Sequence, residues 1–307
     1  MPRAVVLGGG LVGSVMAADL ATDFEVTLVD RSSTALQAAQ QRAPGIATRE
    51  ADLSDPAAVT AAVDGADVVC GAMASHLGFA TLRAVIEAGR PFCDISFMVE
   101  DPKALHALAQ ERGVPAVVDM GVAPGTSNLL AGLGVARLDR ADRLAIYVGG
   151  LPVERRWPFE YKASFAPADV LEEYTRPTRI VVGGQVVTCP AMSGSEAVDI
   201  PGLGTLDACL TDGLRSLVHT LDVPDMVEKT LRYPGHYELM RVLAHAGFFS
   251  EQAVTVRGQA VRPLDLTSAL LFPHWTYDEG EEDLTVMRVE VEGEKDGAPY
   301  RCRWELH

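Results

Sequence analysis

Three glycines near the amino terminus, Gly8, Gly10 and Gly13, are spaced as G-x-G-x-x-G, and that spacing can hold a pyrophosphate. Gly8 makes a tight turn, Gly10 lets the phosphates approach the backbone, and Gly13 lets a helix lie close against the preceding strand. The helix start at Leu11 and Val12 then offers unpaired N–H groups and a positive dipole end to the phosphates. A carboxylate, Asp30, stands about 20 residues further on, where an acceptor for a ribose 2′-hydroxyl belongs. A glycine cluster alone often marks only a turn. Its place in the first strand-to-helix connection, together with Asp30, predicts a dinucleotide site over a nucleotide-free scaffold of the same shape. Arg31 can stack on the adenine edge of NAD, clasp a 2′-phosphate, or be a solvated loop residue. Asp30 would repel that phosphate, so NAD is expected, with NADP as the alternative.

The elements that position these residues alternate regularly. The run Arg3 to Leu7 enters the turn as a strand, and an Ala/Leu/Met-rich helix leaves it. Glu25 to Asp30 is a second strand, followed by a helix from Ser33 to Gln41 and a short strand from Ile46 to Arg49. Asp52 and Leu53 would sit over the adenine, or Asp52 is a simple loop acid. Asp55-Pro56 then starts a helix as N-cap and first helical residue. Ala66 to Met73 reads as a buried parallel strand whose small end, Ala72-Met73, lies beside a nicotinamide. His76 is expected in the loop behind it, as an acid/base group or a capping histidine, with a helix from Phe79 to Ala88. Pro91 to Ile95 and Pro115 to Met120 complete six strands, with a helix from Asp101-Pro102 to Gly113 between them. The pattern is α/β, an N-terminal Rossmann, doubly wound parallel sheet. Beyond Gly121 to Gly125 it changes. A helix runs from Thr126 to about Leu138 and a strand from Leu144 to Gly149. Hairpins follow at residues 179–188, 254–261 and 284–304, and helices at 169–174, 235–246 and 263–271. That is an α+β domain, and the two domains are read as 1–124 and 125–307. Asp278 to Asp283 is read as a solvated acidic turn.

A chain of 307 residues can bury two cores. A net charge of -16 repels nucleic acid and anionic lipid, so neither is an expected partner. The five cysteines, Cys70, Cys93, Cys189, Cys209 and Cys302, form no C-x-x-C pair and read as reduced core residues, not a disulfide frame or a zinc site. No run approaches the length of a membrane span, and the first strand leaves no room for a signal peptide, so the expected location is the cytoplasm. G-x-S-x-G, H-E-x-x-H and P-loop motifs are absent from the sequence.

Four ordered pieces carry a resemblance. They are Val118-Asp119-Met120-Gly121-Val122-Ala123-Pro124-Gly125, Tyr147 to Val153 (YVGGLPV), Phe159-Glu160-Tyr161-Lys162, and Thr230 to His236 (TLRYPGH). In this order they resemble the saccharopine dehydrogenase (reductase-type) family, and within it they are most similar to the lysine 6-dehydrogenases. The resemblance implies a nicotinamide-dependent oxidoreductase acting on the C–N bond of a lysine-like amino acid. It also implies a homodimer whose second domain binds substrate and dimerises. Two departures stand out. Family members run on past the strand that ends here at His307, so the chain reads as a short variant or a truncated product. An arginine in Thr211-Asp212-Gly213-Leu214-Arg215-Ser216 is similar to the saccharopine reductase branch, where one grips a substrate carboxylate, and unlike the lysine 6-dehydrogenases.

Such a reaction needs the amino acid's charged ends held and protons moved through an imine. Arg215 and Arg232 are the expected carboxylate ligands, because a guanidinium matches a carboxylate bidentately; a structural salt bridge is the alternative for each. Asp119, at the ligand edge of the sheet, can hold the substrate ammonium or take its proton, provided its basicity is raised. By resemblance, Tyr161, Lys162 and His236 are the remaining proton-transfer candidates. A cofactor-binding regulator that lost turnover is the alternative to an enzyme.

Overall fold

The structure, a computed structural model, describes all 307 residues, which divide into two compact units, Met1–Gly121 and Val122–His307. In the first unit six strands form one sheet: β1 (Arg3–Leu7), β2 (Glu25–Asp30), β3 (Ala47–Glu50), β4 (Val68–Gly71), β5 (Phe92–Asp94) and β6 (Ala116–Val117). Between them run α1 (Leu11–Leu20), α2 (Ser33–Arg42), α3 (Pro56–Ala62), α4 (Ser75–Glu87) and α5 (His106–Arg112). Every pairing is parallel and the order is β3-β2-β1-β4-β5-β6. Side-chain alternation along β1 divides it between two cores. Ala4 and Val6 pack with Ala17, Leu36 and Ala39, while Val5 and Leu7 pack with Val59, Leu82 and Val85. With helices on both faces the strand is apolar throughout. Its carboxyl end is the point where the strand order reverses, between β1 and β4.

Two local expectations fail here. The sixth strand covers only Ala116–Val117, because Asp119 takes a left-handed backbone (φ 57°) that an extended run cannot continue through. The fourth helix begins at Ser75, so His76 is an exposed residue of a first helical turn and not a loop residue.

The second unit contains α6 (Thr126–Val135), β7 (Arg140–Pro152), α7 (Pro167–Thr175), β8 (Thr178–Val182), β9 (Gln185–Cys189), β10 (Glu196–Ile200) and β11 (Gly204–Leu210). The chain continues through α8 (Leu217–Thr220), β12 (Asp225–Arg232), α9 (His236–His245), the small hairpin β13 (Val254–Val256) and β14 (Gln259–Val261), and α10 (Pro263–Trp275). It ends in β15 (Asp283–Lys295) and β16 (Ala298–Leu306). The main sheet runs β10-β11-β12-β7-β15-β16, with β8 against β12 and β9 against β8. Only β12 and β7 pair in parallel, so the sheet is mixed. Leu144 and Ile146 of β7 face the core that includes Ala131 of α6; Ala145 and Tyr147 face the opposite one. A third core, built from Val170, Tyr174, Tyr237, Met240, Leu271 and Trp275, joins α7, α9 and α10 and takes in Tyr161.

Candidate functional site

The glycine turn folds as its spacing requires. Gly8 has φ +100°, and a Cβ there would lie 2.4 Å from the Ala72 carbonyl oxygen. A Cβ on Gly13 would lie 1.9 Å from the oxygen of Gly8, so helix and turn touch only because both residues are glycine. Gly10 is different: nothing lies within 4 Å of the position its Cβ would take, and the backbone there opens outward. No side chain caps α1 at Gly10, which leaves the N–H groups of Leu11, Val12 and Gly13 for an anion. A pyrophosphate fits this surface, filling space that a side chain at residue 10 would take.

Asp30 accepts from Gly9 N and Ser32 N, both at 2.7 Å, so one carboxylate fixes the glycine loop and the start of α2 while standing at the end of β2. Arg31 is exposed and adds to the forces holding the Asp52 carboxyl below its usual range, the largest being the Ser54 hydrogen bonds. Leu53 is buried in the β-sheet core, which leaves only its backbone for contact with a cofactor. Ala72 and Met73 are half-buried, and Ala72 N donates to Leu7 O at 2.8 Å, so the ends of β1 and β4 form one continuous edge. On that edge Asp119 is buried (3 % exposed), and its neighbour Met120 donates its N–H to Asp94 O at 3.1 Å.

In the second unit, Tyr161, Lys162, Arg232 and His236 come together. The Arg232 guanidinium lies 4.5 Å from the Tyr161 ring centroid, and the His236 ring is 5.0 Å from the same ring. Two of these residues are not placed as expected. Arg232 is 2 % exposed and fully used: Nε donates to Tyr174 Oη (3.0 Å), Nη1 to Leu231 O (3.0 Å) and Nη2 to Glu173 (2.8 Å). It is the structural ion pair, not a carboxylate ligand waiting for substrate. His236 continues the same chain. Its Nδ1 lies 2.9 Å from Phe159 O, which can only accept, so Nδ1 carries the hydrogen and Nε2 accepts from Tyr174 Oη at 2.8 Å. Burial, with the Arg232 charge adding, holds the imidazole down at about 3. A neutral ring with both nitrogens engaged inside the core is a structural element, and proton transfer to substrate is not open to it.

Tyr161 is buried, which pushes its phenol well above the ordinary value and keeps it protonated. Lys162 bonds Glu281 and lies 3.5 Å from Asp278. The acidic stretch read as a solvated turn is therefore partly internal, since Glu281 also pairs with Arg156 at 2.6 Å. Tyr161 and Lys162 line a cavity of about 210 Å³ together with Arg156, Trp157, Phe159 and His274. Glu173, Tyr174 and Glu281, the partners that decide what Arg232, His236 and Lys162 can do, bear no mark of that role in the sequence. Glu173 and Tyr174 carried only a helix signal, and Glu281 lay in a stretch whose composition suggested water.

Arg215 follows a loop that is tied down at each step. Asp212 accepts from Arg179 Nε and Nη2 (2.9 and 2.7 Å), and Glu228 accepts from Thr211 Oγ1 (2.5 Å) and Gly213 N (3.1 Å). Arg215 itself is 4 % exposed with φ 49°. Burial raises the Glu228 carboxyl to about 8. The folded chain therefore keeps this proton up to about pH 8, whereas an unfolded chain loses it near 4.5, so the contribution to stability is full below 4.5 and lost as pH rises between the two. Glu228→Gln keeps the accepted hydrogen bonds and removes the titration. Across that interval wild type should lose up to ~5 kcal/mol relative to this variant, measured by urea unfolding. A constant difference would contradict the assignment.

Comparisons with known proteins agree with this architecture. The sequence profile of the saccharopine dehydrogenase NADP binding domain matches residues 4–117, and that of the saccharopine dehydrogenase C-terminal domain matches residues 121–307. Alpha-aminoadipic semialdehyde synthase from Arabidopsis thaliana is 24% identical over 253 residues, covering 76% of this chain and 23% of that protein. The mitochondrial mouse protein of the same name is 23% identical over 291 residues, covering 85% of this chain and 30% of its own length. The chain thus spans less than a third of these relatives. Among solved structures, the apo saccharopine dehydrogenase (L-Glu forming) of Saccharomyces cerevisiae superposes with a TM-score of 0.77 at 18% identity, covering 100% of this chain and 85% of that one. The homospermidine synthase of Legionella pneumophila, solved in complex with NAD, gives 0.64 at 13% identity, covering 99% and 77%. These two likenesses are of fold. No helix is long and apolar enough to cross a membrane. With both of its units matched by the corresponding profiles, and with a glycine cradle that fits NAD(P), the chain belongs to the saccharopine dehydrogenase family.

Proposed function

We propose that the protein is an NAD(P)-dependent oxidoreductase that acts on the C–N bond of an amino acid, with NAD as the preferred cofactor. The observation that carries this reading is the open backbone at Gly10 on an uncapped helix start, facing the end of β2 where Asp30 stands. Gly8 to Gly13, Asp30, Arg31, Asp52, the Leu53 backbone, Ala72 and Met73 would hold the dinucleotide. When bound, it supplies a two-electron acceptor for amine oxidation. Asp30 already accepts two backbone hydrogen bonds and keeps lone pairs for ribose hydroxyls, while its charge disfavours a 2′-phosphate.

The chain's own residues bind and deprotonate. Arg215, on its braced loop, takes the substrate carboxylate, and Asp119 faces the substrate nitrogen. Lys162 and the Tyr161 hydroxyl shape the cavity that they line with Arg156, Phe159 and His274. The resemblance of the four motifs to the lysine 6-dehydrogenases supports a lysine-like substrate. Purified protein given NAD or NADP with lysine, saccharopine and related diamines should form reduced nicotinamide with a member of this panel, faster with NAD. Asp30→Ala should lower NAD affinity by about tenfold, the worth of one or two hydrogen bonds, and erase the preference over NADP. Tight cofactor binding with no reduction across the panel would overturn the enzymatic reading.

A further inference from the structure

Asp94 ends β5 with its carboxyl sealed inside the first unit, 1 % exposed. Its Oδ1 accepts from Ser96 N (3.2 Å) and Ser96 Oγ (2.8 Å), but Oδ2, equally buried, has no hydrogen-bond partner. Leaving a buried carboxylate oxygen bare is costly, so such a group takes up a proton more readily than an exposed carboxylate does. The surroundings are built around this carboxyl. Gly71 of β4 stands opposite in register, and a Cβ there would lie 2.2 Å from Asp94 Oδ1. Gly78 of α4 backs onto Ser96, where a Cβ would lie 2.8 Å from the Ser96 Cβ. One turn earlier on the same helix face, Ser75 is wholly buried and its hydroxyl has no partner either. The Met120 N–H bonded to Asp94 O draws the neighbouring Asp119 against the end of β5. The titratable groups facing Asp94 are Asp119, from the loop after β6, and the Cys93 thiol of its own strand.

We propose that Asp94 and Asp119 act as one base: Asp119 takes a single proton from the substrate's ammonium, and the negative charge of Asp94 beside it favours that transfer. This rests on the functional reading above, in which Asp119 faces the substrate nitrogen. The step breaks one N–H bond and forms one carboxyl O–H. The electron pair stays on nitrogen, the ammonium becomes a neutral amine, and the charge of the carboxyl pair falls from two negative to one. Asp119 touches the substrate, and Asp94 is a positioning residue that acts through it. Two carboxylates at close quarters make a stronger base than one, because the first proton relieves their repulsion. Burial first, and then the Asp119 charge, raises the Asp94 carboxyl to about 6.

The direct test needs neither cofactor nor substrate. Carboxyl carbon NMR of the aspartate-labelled protein should show one buried group titrating near pH 6, and in Asp119→Asn that midpoint should fall by about one pH unit. Asparagine tolerates the left-handed backbone at residue 119, so this variant should fold, and unchanged NAD affinity checks that it has. An unmoved midpoint overturns the proposal whatever the substrate proves to be. The second arm is the pH profile of kcat/KM. Asp94→Asn should move the acid limb to lower pH by about one unit and cut the rate at neutral pH about tenfold. A rate loss with an unmoved limb would make Asp94 a merely structural residue and also overturn the proposal. Absence of turnover in wild type would defeat the functional reading, while the NMR arm still decides whether the two carboxyls are coupled.

Discussion

Gly10→Val should fold normally and fail to bind NAD. Residue 10 has φ −71° and ψ −162°, a conformation any residue adopts, and its Cβ would meet nothing within 4 Å. The cost to stability is therefore that of an N-cap exchange, about 1 kcal/mol. The same Cβ and its branches occupy the space that a pyrophosphate needs, so affinity should drop at least about 100-fold, equivalent to ~3 kcal/mol. Gly13→Ala makes the useful contrast, since its Cβ would lie 1.9 Å from Gly8 O and must push α1 off the turn. That variant should lose several kcal/mol of stability, as overpacking at backbone contact does. Thermal melts and calorimetric NAD titration of both proteins separate the two effects. Wild-type affinity in Gly10→Val would show that the glycine turn is not the cofactor site.

Arg215→Ala should raise KM for a carboxylate-bearing substrate by about 30- to 900-fold, the 2 to 4 kcal/mol expected when a buried charge-assisted pair is lost. Its loop is already fixed by the Asp212–Arg179 and Glu228–Gly213 contacts, so little of this cost should be refolding of the loop. Arg215→Lys keeps the charge but loses the planar fork and should recover only part of the affinity. A diamine substrate without a carboxylate should show almost no change between wild type and Arg215→Ala. An unchanged KM for the amino acid would remove Arg215 from the site.

The first unit was legible because its signals are local and redundant. In β1, alternate residues feed two cores and the glycines sit where backbone approaches backbone, so motif, strand and helix all point to one fold. The second unit was legible in its longer helices, in β7 and in three of its hairpins, but not in β10, β11 and β12. Strand β12 escaped because its buried face is Met226, Glu228, Thr230 and Arg232, so burial there follows polar pairing and not hydropathy. The β10–β11 hairpin escaped for a related reason, since Glu196 stands on the face of Val198 and Ile200 and cuts its apolar alternation to two residues. The same limit explains the site. Residue type and motif marked His236 and Arg232 as chemical groups, and both types are rarely buried without partners. What decided their roles was Tyr174, Glu173 and the Phe159 carbonyl, brought in from distant parts of the sequence. Asp94 escaped for the opposite reason: an acid after a short strand looks ordinary until its bare oxygen and Gly71 are seen together.

An isotope reports hydrogen transfer from an amino acid carbon directly. The protein is incubated with NAD and amino acids of the lysine and saccharopine type, deuterated at each carbon that bears nitrogen, and the dinucleotide is recovered and weighed by mass spectrometry. Reduced dinucleotide should carry one deuterium from the carbon whose C–N bond is oxidised. Dinucleotide that binds at the glycine turn yet returns oxidised and unlabelled with every substrate would contradict that transfer.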